Sequence, residues 1–153
     1  MPISKVSQQG MYAGAVLQVV QTQYSTATTT TSSAQTSTGC TASITPSSST
    51  NKVLAILNMP TRHNSVGQNG AGQISRNSGA ALSGLVQDYY APSGTGISGN
   101  INIVWLDSPA TTSSVTYTAT FGVNGSGGTL AINSDFNNTN NGVTYLTLLE
   151  ISA

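Results

Sequence analysis

The sequence predicts an all-β protein, an antiparallel β-sandwich of about eight strands with a jelly-roll-like layout. Three observations predict it. Apolar and polar residues alternate with period two wherever the chain is regular. No segment carries a sustained i, i+3, i+4 apolar stripe with a cap, and the abundant β-branched Thr and Val favour pleated surfaces over helices. Asn69-Gly70, Asn124-Gly125 and Asn141-Gly142 offer positive φ at low cost, as tight antiparallel connections require.

Taken in order, residues 1–14 hold Ile3, Val6, Met11 and Tyr12 among polar neighbours, too few apolar groups to form an element alone. They read as an N-terminal arm ahead of a sandwich domain spanning 15–153. The first strand covers Ala15 to Thr22, and the polar tract Thr28 to Ser33 reads as a loop. Strands follow at Thr38 to Thr45 and Lys52 to Met59, each bounded by Gly, Asn, Ser or Pro clusters. Pro60 to Ile74 reads as a long connection. Within it, Gly67-Gln68-Asn69-Gly70-Ala71-Gly72 lacks the Lys-Ser/Thr ending and the following helix of a phosphate-binding loop, so it reads as a turn.

Further strands are expected at Ala80 to Tyr90 and Ile101 to Asp107, separated by a second long connection, Ala91 to Asn100. Asp107-Ser108-Pro109 then reads as a turn opened by a carboxylate that accepts backbone N–H bonds. The clearest alternation sets Val115, Tyr117, Ala119 and Phe121 against Thr116, Thr118 and Thr120, a half-buried strand. After Thr129 to Asn133 comes the closing strand, with Val143, Tyr145, Thr147, Leu149 and Ile151 opposite Thr144, Leu146, Leu148 and Glu150. Both its faces carry apolar groups, so it is expected to be covered on both sides. The two long connections indicate crossovers between sheets rather than a meander.

A length of 153 residues suits one domain. Four basic and four acidic residues make up 5% of the chain, against about 25% in an ordinary soluble domain. Ser and Thr, 22 of each, take their place, so the solvated surface is built from hydroxyls and amides and its contacts are insensitive to salt. A net charge of zero leaves nothing to neutralise phosphates or to anchor at an anionic bilayer, which excludes nucleic acid and membrane surfaces as partners. No apolar run approaches the ~18 residues of a membrane span. Met1 to Lys5 has no apolar core of a secretory signal, so synthesis is expected in the cytosol.

Chemistry is scarce. Cys40, the single cysteine, reads as a small buried hydrophobe, and His63 as a loop histidine. Ser-His-Asp trios can always be composed on paper from 22 serines and Asp88, Asp107 and Asp135, so their existence carries no information. One His and one Cys cannot supply a zinc site, and Asp135 with Asn137 and Asn138 reads as a turn rather than a calcium loop. The expectation is no enzyme, no catalytic residue, no metal and no cofactor. Glu150 stands among Leu148, Leu149 and Ile151, and if buried it needs a partner, with Arg76 or Arg62 the candidates; exposure near the chain's end is the alternative. Tyr117, Phe121, Tyr145, Leu149 and Glu150 are the candidates for core or subunit contacts. Tyr89-Tyr90 is the candidate for contact with a glycan, or equally for a subunit interface.

Four runs carry a family likeness: Gly14–Thr22 (GAVLQVVQT), Gly39–Ser49 (GCTASITPSSS), Leu106–Thr112 (LDSPATT) and Leu146–Ile151 (LTLLEI). Together they resemble a domain of virion structural proteins from tailed bacteriophages, especially those of marine bacteria and cyanobacteria. The resemblance implies a β-rich domain displayed on the virion exterior, often the terminal part of a tail fibre, and a homotrimer of jelly-roll-like subunits. The domain is expected to stand without a shaft-forming region ahead of it, and Met59 to Gly84 is unusually rich in Gly, Asn and Ser. The expectation is therefore a capsid decoration or cement protein, made in the bacterial cytoplasm, whose partners are its own copies and the major capsid protein or another virion protein. The alternative is a tail-fibre or head-fibre module that contacts host surface glycan.

Overall fold

Alternation along the chain becomes two stacked antiparallel sheets. The computed structural model describes residues 12–64, 69–88, 97–124, 128–134 and 142–153. Ten strands lie among them: β1 (Val16–Tyr24), β2 (Thr28–Thr30), β3 (Thr36–Ile44), β4 (Lys52–His63), β5 (Asn69–Arg76), β6 (Val86–Gln87), β7 (Ile97–Asp107), β8 (Val115–Asn124), β9 (Leu130–Ile132) and β10 (Thr144–Ile151). The larger sheet runs β1-β10-β4-β9-β2, with β7 on the other edge of β4, and the smaller runs β3-β8-β5-β6. Six of the nine connections between successive strands pass from one sheet to the other. The architecture is all-β and consistent with a jelly-roll-like sandwich.

Inward-facing residues of both sheets form one core that includes Cys40, Ile44, Leu57, Met59, Ile74, Ile101, Tyr117, Phe121, Leu130 and Leu148. Pro60 interrupts the long central strand without cost. Its carbonyl accepts from Asn133 N, so its missing N–H would point to the same edge of β4. There the register with β10 has ended at Asn58 and that with β9 begins at Thr61; a proline fits a strand only where no ladder bond is needed.

Several expectations are corrected. Thr28–Thr30 is a strand, not a loop, pairing with Leu130–Ile132. β5 occupies the place expected for a long connection, and Asn69-Gly70 opens that strand instead of forming a turn. The strand expected over Ala80 to Tyr90 reduces to Val86–Gln87 and a single bridge between Ser75 and Ala81. Between them, Asn77 and Ser78 both have positive φ (51° and 56°), and Gly79 N donates to Arg76 O, the pattern of a tight hairpin turn. β4 continues past Met59 to His63, which is a buried strand residue rather than a loop histidine. β7 starts at Ile97, inside the expected connection. Gly125 and Asn141, halves of two expected turns, lie outside the described residues.

The closing strand alternates as read, but unequally. Thr144, Leu146, Leu148 and Glu150 are buried against the smaller sheet, while Tyr145, Thr147, Leu149 and Ile151 form a half-covered outer face.

Candidate functional site

Three of the chain's four acids lie among the described residues, and each ties the sandwich together. At the end of β7, Asp107 receives two hydrogen bonds from Arg76 Nη1, at 3.0 and 2.7 Å, and one from the Tyr117 hydroxyl at 2.7 Å. Arg76 and Tyr117 are register partners in the smaller sheet, so this cluster bridges the two layers. Asp107 is thus an ion-pair and hydrogen-bond acceptor for side chains, not the opener of a turn. Burial, reinforced by the bond to Asp107, raises the Tyr117 hydroxyl far above its ordinary range.

Glu150 is buried, and it meets neither Arg76 nor Arg62. Its carboxylate instead accepts from Asn51 Nδ2 (2.6 Å), Ser47 Oγ (2.7 Å), Ser47 N (2.7 Å) and Gln18 Nε2 (2.6 Å). Burial alone would raise its pKa; the four hydrogen bonds outweigh that and hold it below its ordinary value. The effect is to fasten the β3–β4 crossover and β1 to β10. At the opposite end, Asp88 accepts from Thr61 Oγ1 and Gly70 N, both at 2.6 Å, and lies 3.6 Å from His63 Nε2. Thr61, His63 and Asp88 do not form a nucleophile–base relay. The threonine donates to the carboxylate rather than to the imidazole, and the His63 and Asp88 side chains are buried, at 3% and 1% exposure.

Cys40 is fully buried, and burial pushes its thiol up to about 11. Among the described residues no group of three or more His, Cys, Asp or Glu can hold a metal ion. No catalytic constellation is assembled there.

The two outer faces differ sharply. On the larger sheet, register places Val19, Leu149, Leu54 and Leu106 in one row across four strands, with Gln21, Thr147, Ile56 and Val104 in the next. Inward-pointing positions alternate with these, so all eight side chains face away from the core. Val19 is 59% exposed, Val104 66% and Leu106 50%. Six of the eight are apolar, Gln21 and Thr147 forming a bonded polar pair at one side, and Val16 and Ile151 extend the patch in a row that ends at Lys52. The apolar part covers roughly 300 Å² by strand and residue spacing, the size at which an exposed patch marks an interaction surface. The smaller sheet presents the reverse: a groove of about 450 Å³ whose eleven lining residues include no ionisable group. Thr41, Thr118 and Ser75 lie across it in register, with Gln35, Gln73 and Ser78 around them.

Of the residues singled out in the sequence, Tyr117, Phe121 and Glu150 lie inside the sandwich, while Tyr145 and Leu149 belong to the outer face of the larger sheet. Tyr12 is 91% exposed, and its carbonyl accepts from Ser152 Oγ and Ala15 N. Ile3, Val6, Met11, Tyr89 and Tyr90 lie outside the described residues. Sequence reasoning missed the apolar rows, whose signal was the polar-face positions of β4 and β7 filled by Leu54, Ile56, Val104 and Leu106. It missed the groove because single Ser and Thr residues carry no motif.

Fold and surfaces together define an all-β sandwich with one apolar and one hydroxylated face. No family model matches the chain, and no curated protein matches it. Among solved structures, that of the infectious bursal disease virus Gx strain is similar, with a TM-score of 0.40 and 15% identity, covering 100% of this chain and 42% of that one. That likeness assigns no role to any residue here.

Proposed function

We propose that the chain is a structural subunit of a bacteriophage virion: a decoration or cement protein that assembles as a homotrimer on the capsid surface and reinforces the shell. The observation that carries this reading is the apolar outer face of the larger sheet. Its area is about two fifths of the ~800 Å² that each partner contributes to a standard interface, so it supplies the centre of a contact. The amides of Gln23, Asn58 and Asn102, in the next row of the register, supply a polar rim. The mechanism is burial rather than chemistry, and the scarcity of charge leaves the contact insensitive to salt. The likeness of four sequence runs to phage virion domains supports the same class. In this reading Ile3, Val6, Met11 and Tyr12 form an arm that grips neighbouring capsid subunits.

The test is add-back to capsids stripped of the protein. Wild type rebinds, whereas a Val104→Lys/Leu106→Lys double variant stays folded but does not; undiminished binding by that variant overturns the reading. Removing residues 1–11 is expected to leave a folded protein that adds back weakly.

A second reading is a tail-fibre or head-fibre module contacting host surface glycan, for which Tyr89 and Tyr90 are the sequence candidates; the uncharged groove on the opposite sheet favours glycan contact as such. Competition of the purified protein with phage adsorption separates the two.

A further inference from the structure

The groove on the smaller sheet is crossed by a row of hydroxyls. Thr41, Thr118 and Ser75 are register partners across β3, β8 and β5, which sets their hydroxyls in one row about 4.8 Å apart. Ser75 is 7% exposed and Thr118 9%, yet neither side chain makes a hydrogen bond among the described residues, nor does that of Thr41. Their neighbours on the same face are engaged. Ser43 Oγ and Thr116 Oγ1 lie 2.8 Å apart as a bonded pair, and Thr120 donates to Gln73 O and to Gln35 Oε1. Neither Ser75 nor Thr118 has a side-chain oxygen sealed from solvent without a partner, so each hydroxyl reaches the groove. This row therefore faces outward for its partners, into the groove it lines.

The lining narrows the chemistry of what enters. No ionisable group is present, so a charged ligand would lose its hydration without gaining a counter-charge. The apolar surface comes from Ala81 and from methyl and methylene groups of Thr and Gln, interrupted by hydroxyls and amides, so no continuous apolar wall is offered to a hydrocarbon or a bare aromatic ring. Each hydroxyl both donates and accepts. The amides of Gln35, already bonded within the protein to Ala71 O and Thr120, and of Gln73, bonded to Ser83 O, add their remaining donor and acceptor positions. Groups of that dual character, repeated at roughly the width of a pyranose ring, match the hydroxyls of a sugar.

We propose that this groove binds a neutral glycan, held by the hydroxyls of Thr41, Thr118 and Ser75 and flanked by the amides of Gln35 and Gln73. In the unliganded protein water fills those positions, and the ligand replaces it. The site goes beyond the shell role and stands whether or not the chain seats on a capsid. With no aromatic platform in the lining, one copy binds weakly, and several copies on one particle raise the avidity.

The full-length protein is titrated with neutral malto-, cello- and manno-oligosaccharides and followed by backbone amide NMR. Shifts are expected to concentrate at residues 35–41, 73–79 and 116–120 for at least one of them, unchanged in about 1 M sodium chloride. Thr41→Val and Thr118→Val, which keep shape and remove the hydroxyl, are each expected to weaken binding about tenfold. Thr41 is exposed, so its variant reports even if Thr118→Val loses stability. Silence across the whole panel, shifts centred elsewhere, unchanged affinity in Thr41→Val, or stronger binding of a sulfated polysaccharide each overturns the proposal. None of these results depends on capsid add-back.

Discussion

Glu150 shows how a buried carboxylate is kept ionised by neutral donors alone. Four neutral donors surround it, and its pKa sits below the ordinary 4.5. The native state therefore binds the proton less readily than the unfolded chain. Its stabilising contribution is complete above about pH 4.5 and is lost as pH falls through the depressed native value. Urea midpoints measured across that range are expected to fall in acid for wild type and to fall less for Glu150→Gln. At neutral pH that variant should lose about 1–3 kcal/mol, because an amide cannot accept from all four donors. Tyr117→Phe removes one donor from Asp107 and is expected to cost about 1–2 kcal/mol; a change below about 0.3 kcal/mol would show that Arg76 alone satisfies the carboxylate. The sequence made the need for a partner at Glu150 legible, since an acid among leucines must be compensated. It did not make the partners legible, because Ser47 and Asn51 arrive from a crossover whose path depends on the whole fold.

Strands with strong alternation, such as β8 and β10, were readable because one face had to be apolar. β5 was not, and its glycines explain why. At Gly70 an added Cβ would lie 2.5 Å from Leu130 Cδ1, and at Gly72 it would lie 2.8 Å from Met59 Cε. These glycines serve close packing of the other sheet's side chains, not chain reversal, yet in sequence they are indistinguishable from turn signals. Gly39 is different. It has φ +91° at an irregular point of β3, and an added Cβ would sit 2.9 Å from the Tyr24 ring. Gly39→Ala is expected to destabilise by about 1–3 kcal/mol through both strain and contact, read as a lower thermal midpoint. A neutral result would mean that Tyr24 and the bulge relax together.

Sidedness organises the molecule more than any single residue does. An apolar layer faces out from the larger sheet and a hydroxylated layer from the smaller, with the described acids turned inward between them. Native mass measurement is expected to show a trimer for wild type and lighter species for Val104→Lys/Leu106→Lys; a wild-type monomer at micromolar concentration would contradict self-association. The all-β class was evident from the sequence because period-two alternation is local. The contrast between faces was not, since it emerges only when register aligns residues from four strands.

Strand β7 pairs with β4 along one side, and no other described strand covers its second side. That rim runs through Val104, Trp105 and Leu106, all substantially exposed and without a lysine or proline to discourage pairing. Unassociated copies would thus be templates for one another, and a cell accumulating them would face fibrous or amorphous deposits.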